Sequence, residues 1–301
     1  MRQLRLLLRR RYRGEWRIPG HERRAGLHRW SLDSRQLAYV TQDDRLCIYN
    51  LNDEPDDCPF APGGLLMEVV CSPTGSLIAA VVTPPVENSS DCCDGRVWLV
   101  GPATGAATDV AGFVTGFEYA PGEAFQWLPD GSGLAIKRLD RSRGAIVGLA
   151  HGAMVTFEEW IAAVAPDGRA VLHPSGALSA ADGTALAPLP GANECTEFLN
   201  VAHAWSPDGR LAYTLTCGID GAPLAGANLL TVIEPVTGAV AWQTELPVGL
   251  FPVTWSPDGK FILLDDAAYG PPIWQLAADG EGEPVVIVED GTLLEIIPAE
   301  E

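Results

Sequence analysis

One turn sequence recurs along this chain and constrains its fold more than any other feature. It is complete in Trp205-Ser-Pro-Asp-Gly209 and Trp255-Ser-Pro-Asp-Gly259, and partial in Gln126-Trp-Leu-Pro-Asp-Gly131 and Ala163-Val-Ala-Pro-Asp-Gly168. It is weaker in Cys71-Ser-Pro-Thr-Gly75 and Trp30-Ser-Leu-Asp-Ser34. The proline position falls at Leu32, Pro73, Pro129, Pro166, Pro207 and Pro257, at intervals of 41, 56, 37, 41 and 50 residues. A period near 40 residues means one supersecondary unit repeated, with insertions of varying length.

Each unit has a physical logic. Proline presets φ at the second position of a turn, aspartate bonds nearby backbone N–H groups, and glycine takes the left-handed conformation that ends a three-residue hairpin loop. The tryptophan before the turn is a large apolar body for packing against a neighbour. Apolar β-prone runs follow, such as Leu211-Ala-Tyr-Thr-Leu215, then a second strand such as Asn228 to Ile233, a glycine turn, and a last short strand such as Ala239 to Gln243. No amphipathic helix pattern intervenes. The spacing predicts an all-β chain, a β-propeller with six recognisable four-stranded blades.

The Trp-Ser-Pro-Asp-Gly segments resemble the core of the TolB-type, WD-repeat-like propeller repeat, over most of the chain from Trp30 to Glu289. The resemblance implies a non-catalytic scaffold that binds a protein, peptide or glycan partner, since similar propellers serve in cell-envelope assemblies. The motif builds a turn and not a site, so it carries fold more than function. Similar propellers also cap hydrolase domains of prolyl-oligopeptidase-like enzymes, but only about ten residues follow the last repeat. The alternative is a propeller hydrolase or lyase with carboxylates converging at the central channel.

The ends are expected to close the ring. Residues 1–27 read as a basic segment with two closing strands, residues 28–290 as the six repeats, and residues 291–301 as a C-terminal strand. Both ends together then form an incomplete seventh blade of one propeller domain; the alternative is a six-bladed ring with a loose basic tail.

The net charge of −19 conceals a strong asymmetry. Residues 1–35 hold 11 of the 20 Lys and Arg against Glu15, Glu22 and Asp33, a net +8, which leaves −27 on the remainder. A body so acidic repels nucleic acid and anionic membranes. No apolar run approaches the roughly 20 residues of a membrane span. The expected state is a monomer with no nucleic-acid partner. Near Met1 the apolar run is only Leu6-Leu7-Leu8, too short for a secretory signal. Either the protein is cytoplasmic or the true start lies upstream.

Candidate chemistry is sparse. The sequence contains no Gly-x-Ser-x-Gly elbow, phosphate loop, dinucleotide-binding glycine pattern or His-Glu-x-x-His. His21, His28, His151, His173 and His203 are far apart in sequence. The oxygen-rich segment Glu87 to Gly95 lacks the alternating-Asp spacing of a calcium loop and reads as a solvated loop, as does Asp265-Asp266. No cofactor or metal is expected.

The seven cysteines are more telling. Cys47 and Cys58 are centred on the turn near Asn52-Asp53 and would face each other across a hairpin, within disulfide range. Cys195 and Cys217 flank the Ser206–Gly209 hairpin about two residues per strand off register. Both bridges are expected, and with them an oxidising compartment, periplasmic or extracellular. Cys71 stands where the motif has tryptophan and is expected to be a buried thiol.

The connections between second and third strands share one rim. They carry Asp43-Asp44, Glu87 to Asp94, Asp220 and Asp265-Asp266. The third repeat instead carries Lys137, Arg138, Arg141 and Arg143, four of the nine basic residues beyond position 35. A positive spot on an acidic rim suits a partner's carboxylate, because Arg forks bind carboxylates bidentately. Charge balance with neighbouring carboxylates is the other reading.

Overall fold

A computed structural model describes residues 23–30, 36–50, 57–83, 94–115, 125–137, 143–149, 153–194, 198–219, 222–223, 228–247, 249–266 and 270–289. The terminal strands expected to close the ring lie outside these. The described chain is β throughout apart from one short 3-10 turn at Ala192–Glu194. Two compact units divide it, one of Glu15–Val164 and the other built from Ala165–Glu301.

Antiparallel sheets follow the repeats one for one. The first runs β1 (Arg23–Trp30), β2 (Gln36–Thr41), β3 (Leu46–Asn50), β4 (Asp57–Phe60) in spatial order. The second is β5 (Leu65–Cys71), β6 (Ile78–Thr83), β7 (Asp94–Val100), β8 (Ala107–Thr115). The third is β9 (Phe125–Trp127), β10 (Gly133–Ile136), β11 (Gly144–Gly148), β12 (Met154–Phe157).

The fourth is small: β13 (Ala163–Val164), β14 (Val171–Leu172) and β15 (Leu178–Ser179), with a single bridge Ser179↔Ala185 where a fourth strand belongs. Its turns follow one another too closely for longer strands. Asp167, Ser175 and Asp182 each accept a backbone N–H two residues on, from Arg169, Ala177 and Thr184.

The fifth sheet is β16 (Phe198–Trp205), β17 (Leu211–Ile219), β19 (Asn228–Glu234), β20 (Ala239–Leu246), with β18 (Ala222–Pro223) paired to β17 off the main path. The sixth is β21 (Leu250–Trp255), β22 (Phe261–Asp266), β23 (Gly270–Ala277), β24 (Val285–Val288).

Second strands are buried on both faces, as Ile78–Thr83 shows at every position. That strand is sandwiched between the first and third sheets, which explains its near-continuous apolar run. In unit 15–164, Ala38 and Ile48 of the first sheet meet Ile78 and Val82 of the second, and Ala79 and Val81 of the second meet Trp127 and Leu134 of the third. In unit 165–301, Ala212 and Val232 of the fifth meet Trp255 and Ile262 of the sixth.

The turn motif behaves as its residues dictate, with one refinement. Gly75, Gly131, Gly168, Gly209 and Gly259 all have positive φ and donate to the carbonyl three residues back. Among the described turns, a three-residue loop closes only that of the fifth repeat, where Ser206 N donates to Arg210 O at 2.8 Å. The others close one residue later, as in Ser256 N to Phe261 O at 2.9 Å. Trp205 is therefore opposite Leu211, whereas Trp255 is opposite Ile262. A one-residue slip exchanges the faces of the following strand. Ala212, five residues past its proline, consequently packs where Ala79, six past its own, packs in the second sheet.

Candidate functional site

The motif's polar atoms are consumed locally. The Ser206 hydroxyl donates to Asp208 Oδ1, and Arg210 N donates back to Ser206 Oγ at 2.7 Å. The Ser256 hydroxyl likewise donates to Asp258 Oδ1 at 2.7 Å. These hydroxyls hold the carboxyls of Asp208 and Asp258 below the usual carboxylate range. Asp130 is lowered in the same way by Ser132.

Motif residues also reach from sheet to sheet. The indole of Trp127 donates to Val70 O at 3.0 Å and that of Trp255 to Ala204 O at 3.1 Å. Arg210 lies over the Trp255 ring, 5.0 Å from its centroid. Arg169 pairs with Glu234 at 3.7 Å. Asp44 has φ 56° and accepts from Leu66 N at 3.2 Å, so this rim carboxylate tethers the second sheet's first strand.

On the predicted cationic spot, Lys137 follows β10 and is half-buried, and Arg143 precedes β11 and is exposed. Arg138 and Arg141 lie outside the described residues. The base of this connection is anchored on both sides: Lys137 O accepts from Ile161 N at 2.7 Å, and Gly144 N donates to Glu159 O at 2.8 Å. Of the acidic rim residues, Glu87 to Cys93 and Asp220 lie outside the described residues. Asp265 and Asp266 end β22 rather than standing in a loop.

The Cys47–Cys58 disulfide is present, joining β3 to β4 across a bulge between Leu46↔Phe60 and Ile48↔Asp57. Cys195 and the side chain of Cys217 lie outside the described residues. Cys71 is a half-buried thiol packed against the core of the first two sheets.

The His173 ring is buried and within 2.9 Å of Ser179 Oγ; the His203 ring lies 3.3 Å from Val201 O. His21 and His151 lie outside the described residues, as does the His28 side chain. Among the described residues no three His, Cys, Asp or Glu side chains come together in a metal-holding group. No described helix is long and apolar enough to cross a membrane.

Sequence reasoning missed a cleft of about 380 Å³ between the first two sheets, walled by Gln36, Ile48, Gly75, Ser76, Pro102 and Thr104. A narrow recess of about 10 Å³ adjoins it and ends on Cys71.

Sheets of this order, repeated with this turn and joined face to face, define the β-propeller class. No family model matches the chain, and no curated protein sequence matches it. Among solved structures it is similar to the β-propeller domain of Cps50 (Swd1) from Myceliophteria thermophila, with TM-score 0.51, 12% identity, and 91% of this chain and 88% of that one covered. It is also similar to TolB from Acinetobacter baumannii, with TM-score 0.43 and 14% identity over 88% of this chain. This chain spans 55% of that TolB. The fold is a β-propeller.

Proposed function

We propose that this protein is a non-catalytic propeller scaffold that binds a protein or peptide partner. The supporting observation is how the repeat spends its polar groups. Ser206, Asp208, Ser256 and Asp258 satisfy one another within turns, and Trp127, Trp255 and Asp44 hold sheets together. What varies between repeats is the connections, and the third repeat's runs from Lys137 to Arg143 on a base fixed by Ile161 and Glu159.

On this reading Lys137, Arg138, Arg141 and Arg143 take a carboxylate-bearing segment of the partner. Contacts of this kind act mainly on association rate and salt dependence. The working compartment is oxidising, periplasmic or extracellular, and the Cys47–Cys58 disulfide supports this. The test is affinity capture from the native host with mass spectrometry, comparing the wild type with Arg138, Arg141 and Arg143 all changed to Ser. A partner whose capture weakens in the folded variant and with added salt is expected. Capture that ignores both the variant and salt overturns the cationic contact.

A further inference from the structure

Five of the sheets end on a described outer strand. Four of these strands carry polar residues: Asp57 in β4, Thr108 and Asp109 in β8, Thr156 in β12, and Gln243, Thr244 and Glu245 in β20. The fifth, β24, reads Val285-Val286-Ile287-Val288 and has none. It is the last strand in the order β21-β22-β23-β24, and among the described residues β23 is its one strand partner. Val285 is 62% exposed and Val286 36%. Successive side chains of a strand point to opposite faces, so β24 is uncovered on both. A bulge falls at Ile287, between Val286 opposite Trp274 and Val288 opposite Ile273.

An apolar edge of this kind is a template for pairing with another extended chain unless charge guards it. Here the charge stands at the two ends and has one sign. Glu283 lies two residues before the run and Glu289 directly after it, and both are exposed. Asp279 and Glu281 of the preceding turn are exposed as well. No Lys or Arg follows Lys260 in the sequence, and Lys260 itself pairs with Asp258 at 3.6 Å. Two β24 edges brought together would set carboxylate against carboxylate, and like charges across a strand pair are destabilising. The edge therefore selects against a second copy of this chain and in favour of a basic one.

We propose that the edge of β24 takes an extended segment of a protein partner as an added strand, β-branched at its centre and basic at both ends. In strand addition the main-chain hydrogen bonds supply affinity and alternate side chains supply specificity. Val285 and Val286 offer apolar contact on the two faces of the sheet, and Glu283 and Glu289 meet the partner's Lys or Arg. These two carboxylates are six residues apart, which is about 20 Å along an extended chain. The inference rests on the scaffold reading and adds a second surface to it, one that does not involve Lys137, Arg138, Arg141 or Arg143.

The test titrates the full chain into fluorescein-labelled Lys-Val-Thr-Val-Thr-Val-Lys amide and reads fluorescence anisotropy. In one control peptide Glu replaces both Lys; in the other, alternate backbone nitrogens are methylated and cannot donate. The wild type is expected to bind the basic probe, less tightly as salt rises, and each control at least about tenfold more weakly. Amide hydrogen exchange at residues 285–288 is expected to slow when the probe binds. Val285→Lys, at the most exposed position of the strand, is expected to weaken binding at least about tenfold. Should that variant misfold, Glu283→Gln with Glu289→Gln keeps the apolar edge and is expected to abolish most of the salt dependence. The chain with Arg138, Arg141 and Arg143 changed to Ser is expected to bind the probe as the wild type does. No binding by the wild type, equal binding of either control, or exchange protection away from residues 285–288 overturns the edge. A chain that captures a native partner yet ignores the probe overturns the edge alone and leaves the scaffold reading standing.

Discussion

The indole N–H of Trp255 donates to the carbonyl of Ala204, 51 residues earlier and in the preceding sheet, at 3.1 Å. Trp127 repeats the contact with Val70, 57 residues earlier. A buried carbonyl on an inner strand thereby gains a partner, and a large ring fills the space between two sheets. Turns add a second seam. Gly209 lies against Asp167 of the preceding turn, Gly280 against the ring of Trp242, and Trp242 itself donates to Ala278 O at 2.9 Å.

The turn seam is sensitive to a single methyl group. Gly209 has φ 88°, and a Cβ there would strike the Asp167 carboxylate. That carboxylate is pinned by Arg169 N at 2.9 Å, so it has little room to yield. Gly63 has φ 71° but nothing within 4 Å of an added Cβ. Gly63→Ala is expected to cost about 1 kcal/mol from backbone strain alone, and Gly209→Ala about 1–2 kcal/mol more. Urea unfolding of both variants checks the difference; equal costs contradict the contact.

Acid sensitivity follows from the turn carboxyls. Asp208 and Asp258 are lowered by the Ser206 and Ser256 hydroxyls. A carboxyl lowered in the folded state stabilises the fold above its unfolded value of about 3.9, and that contribution disappears as pH falls through the folded value. Melting temperature is therefore expected to be flat near neutrality and to fall below about pH 4. Ser256→Ala should flatten that acid limb, measured by circular dichroism melts across the range.

At the alkaline end, burial pushes the Tyr213 hydroxyl up to about 12, and it donates to Pro190 O at 3.0 Å. The neutral form is favoured by folding, so this stabilisation is complete below about pH 10 and is lost as pH rises through the folded value. Tyr213→Phe is expected to cost about 1 kcal/mol at neutral pH and to weaken the alkaline decline, as melts in the two forms would show.

The disulfide clamps a short outer strand. β4 carries Phe60, whose ring lies 5.7 Å from that of Trp98 in the second sheet. With a sequence separation of 11, the chain-entropy estimate gives a contribution of about 2–3 kcal/mol. Cys58→Ser, or reduction by a dithiol, should lower the melting temperature accordingly. Non-reducing peptide mapping is expected to recover Cys47 linked to Cys58.

The turns and their order were legible because Pro, Asp and Gly fix backbone angles locally. The Cys47–Cys58 pairing was legible because both cysteines are equidistant from one turn. Register was not. Trp205-Ser-Pro-Asp-Gly209 and Trp255-Ser-Pro-Asp-Gly259 are identical, yet their loops close on Arg210 and Phe261, one residue apart. The choice is made by which face the next strand must bury, Ala212 against the sixth sheet, and that is a tertiary constraint. The brevity of the fourth sheet was written in its closely spaced Asp-Gly and Ser-Gly turns. The cleft between the first two sheets was not legible, because it is walled by residues of two repeats that only packing brings together.

The repeated tryptophans join sheet to sheet, and three of them test this claim together. Trp127 and Trp255 have carbonyl acceptors, while the Trp205 indole N–H is buried with no acceptor among the described residues. Replacing each by Phe removes similar volume but different hydrogen bonds. Equilibrium unfolding is expected to show Trp127→Phe and Trp255→Phe losing about 1–2 kcal/mol more than Trp205→Phe, with partner capture unchanged in all three. Equal losses across the series, or capture abolished in a variant that remains folded, would contradict the claim.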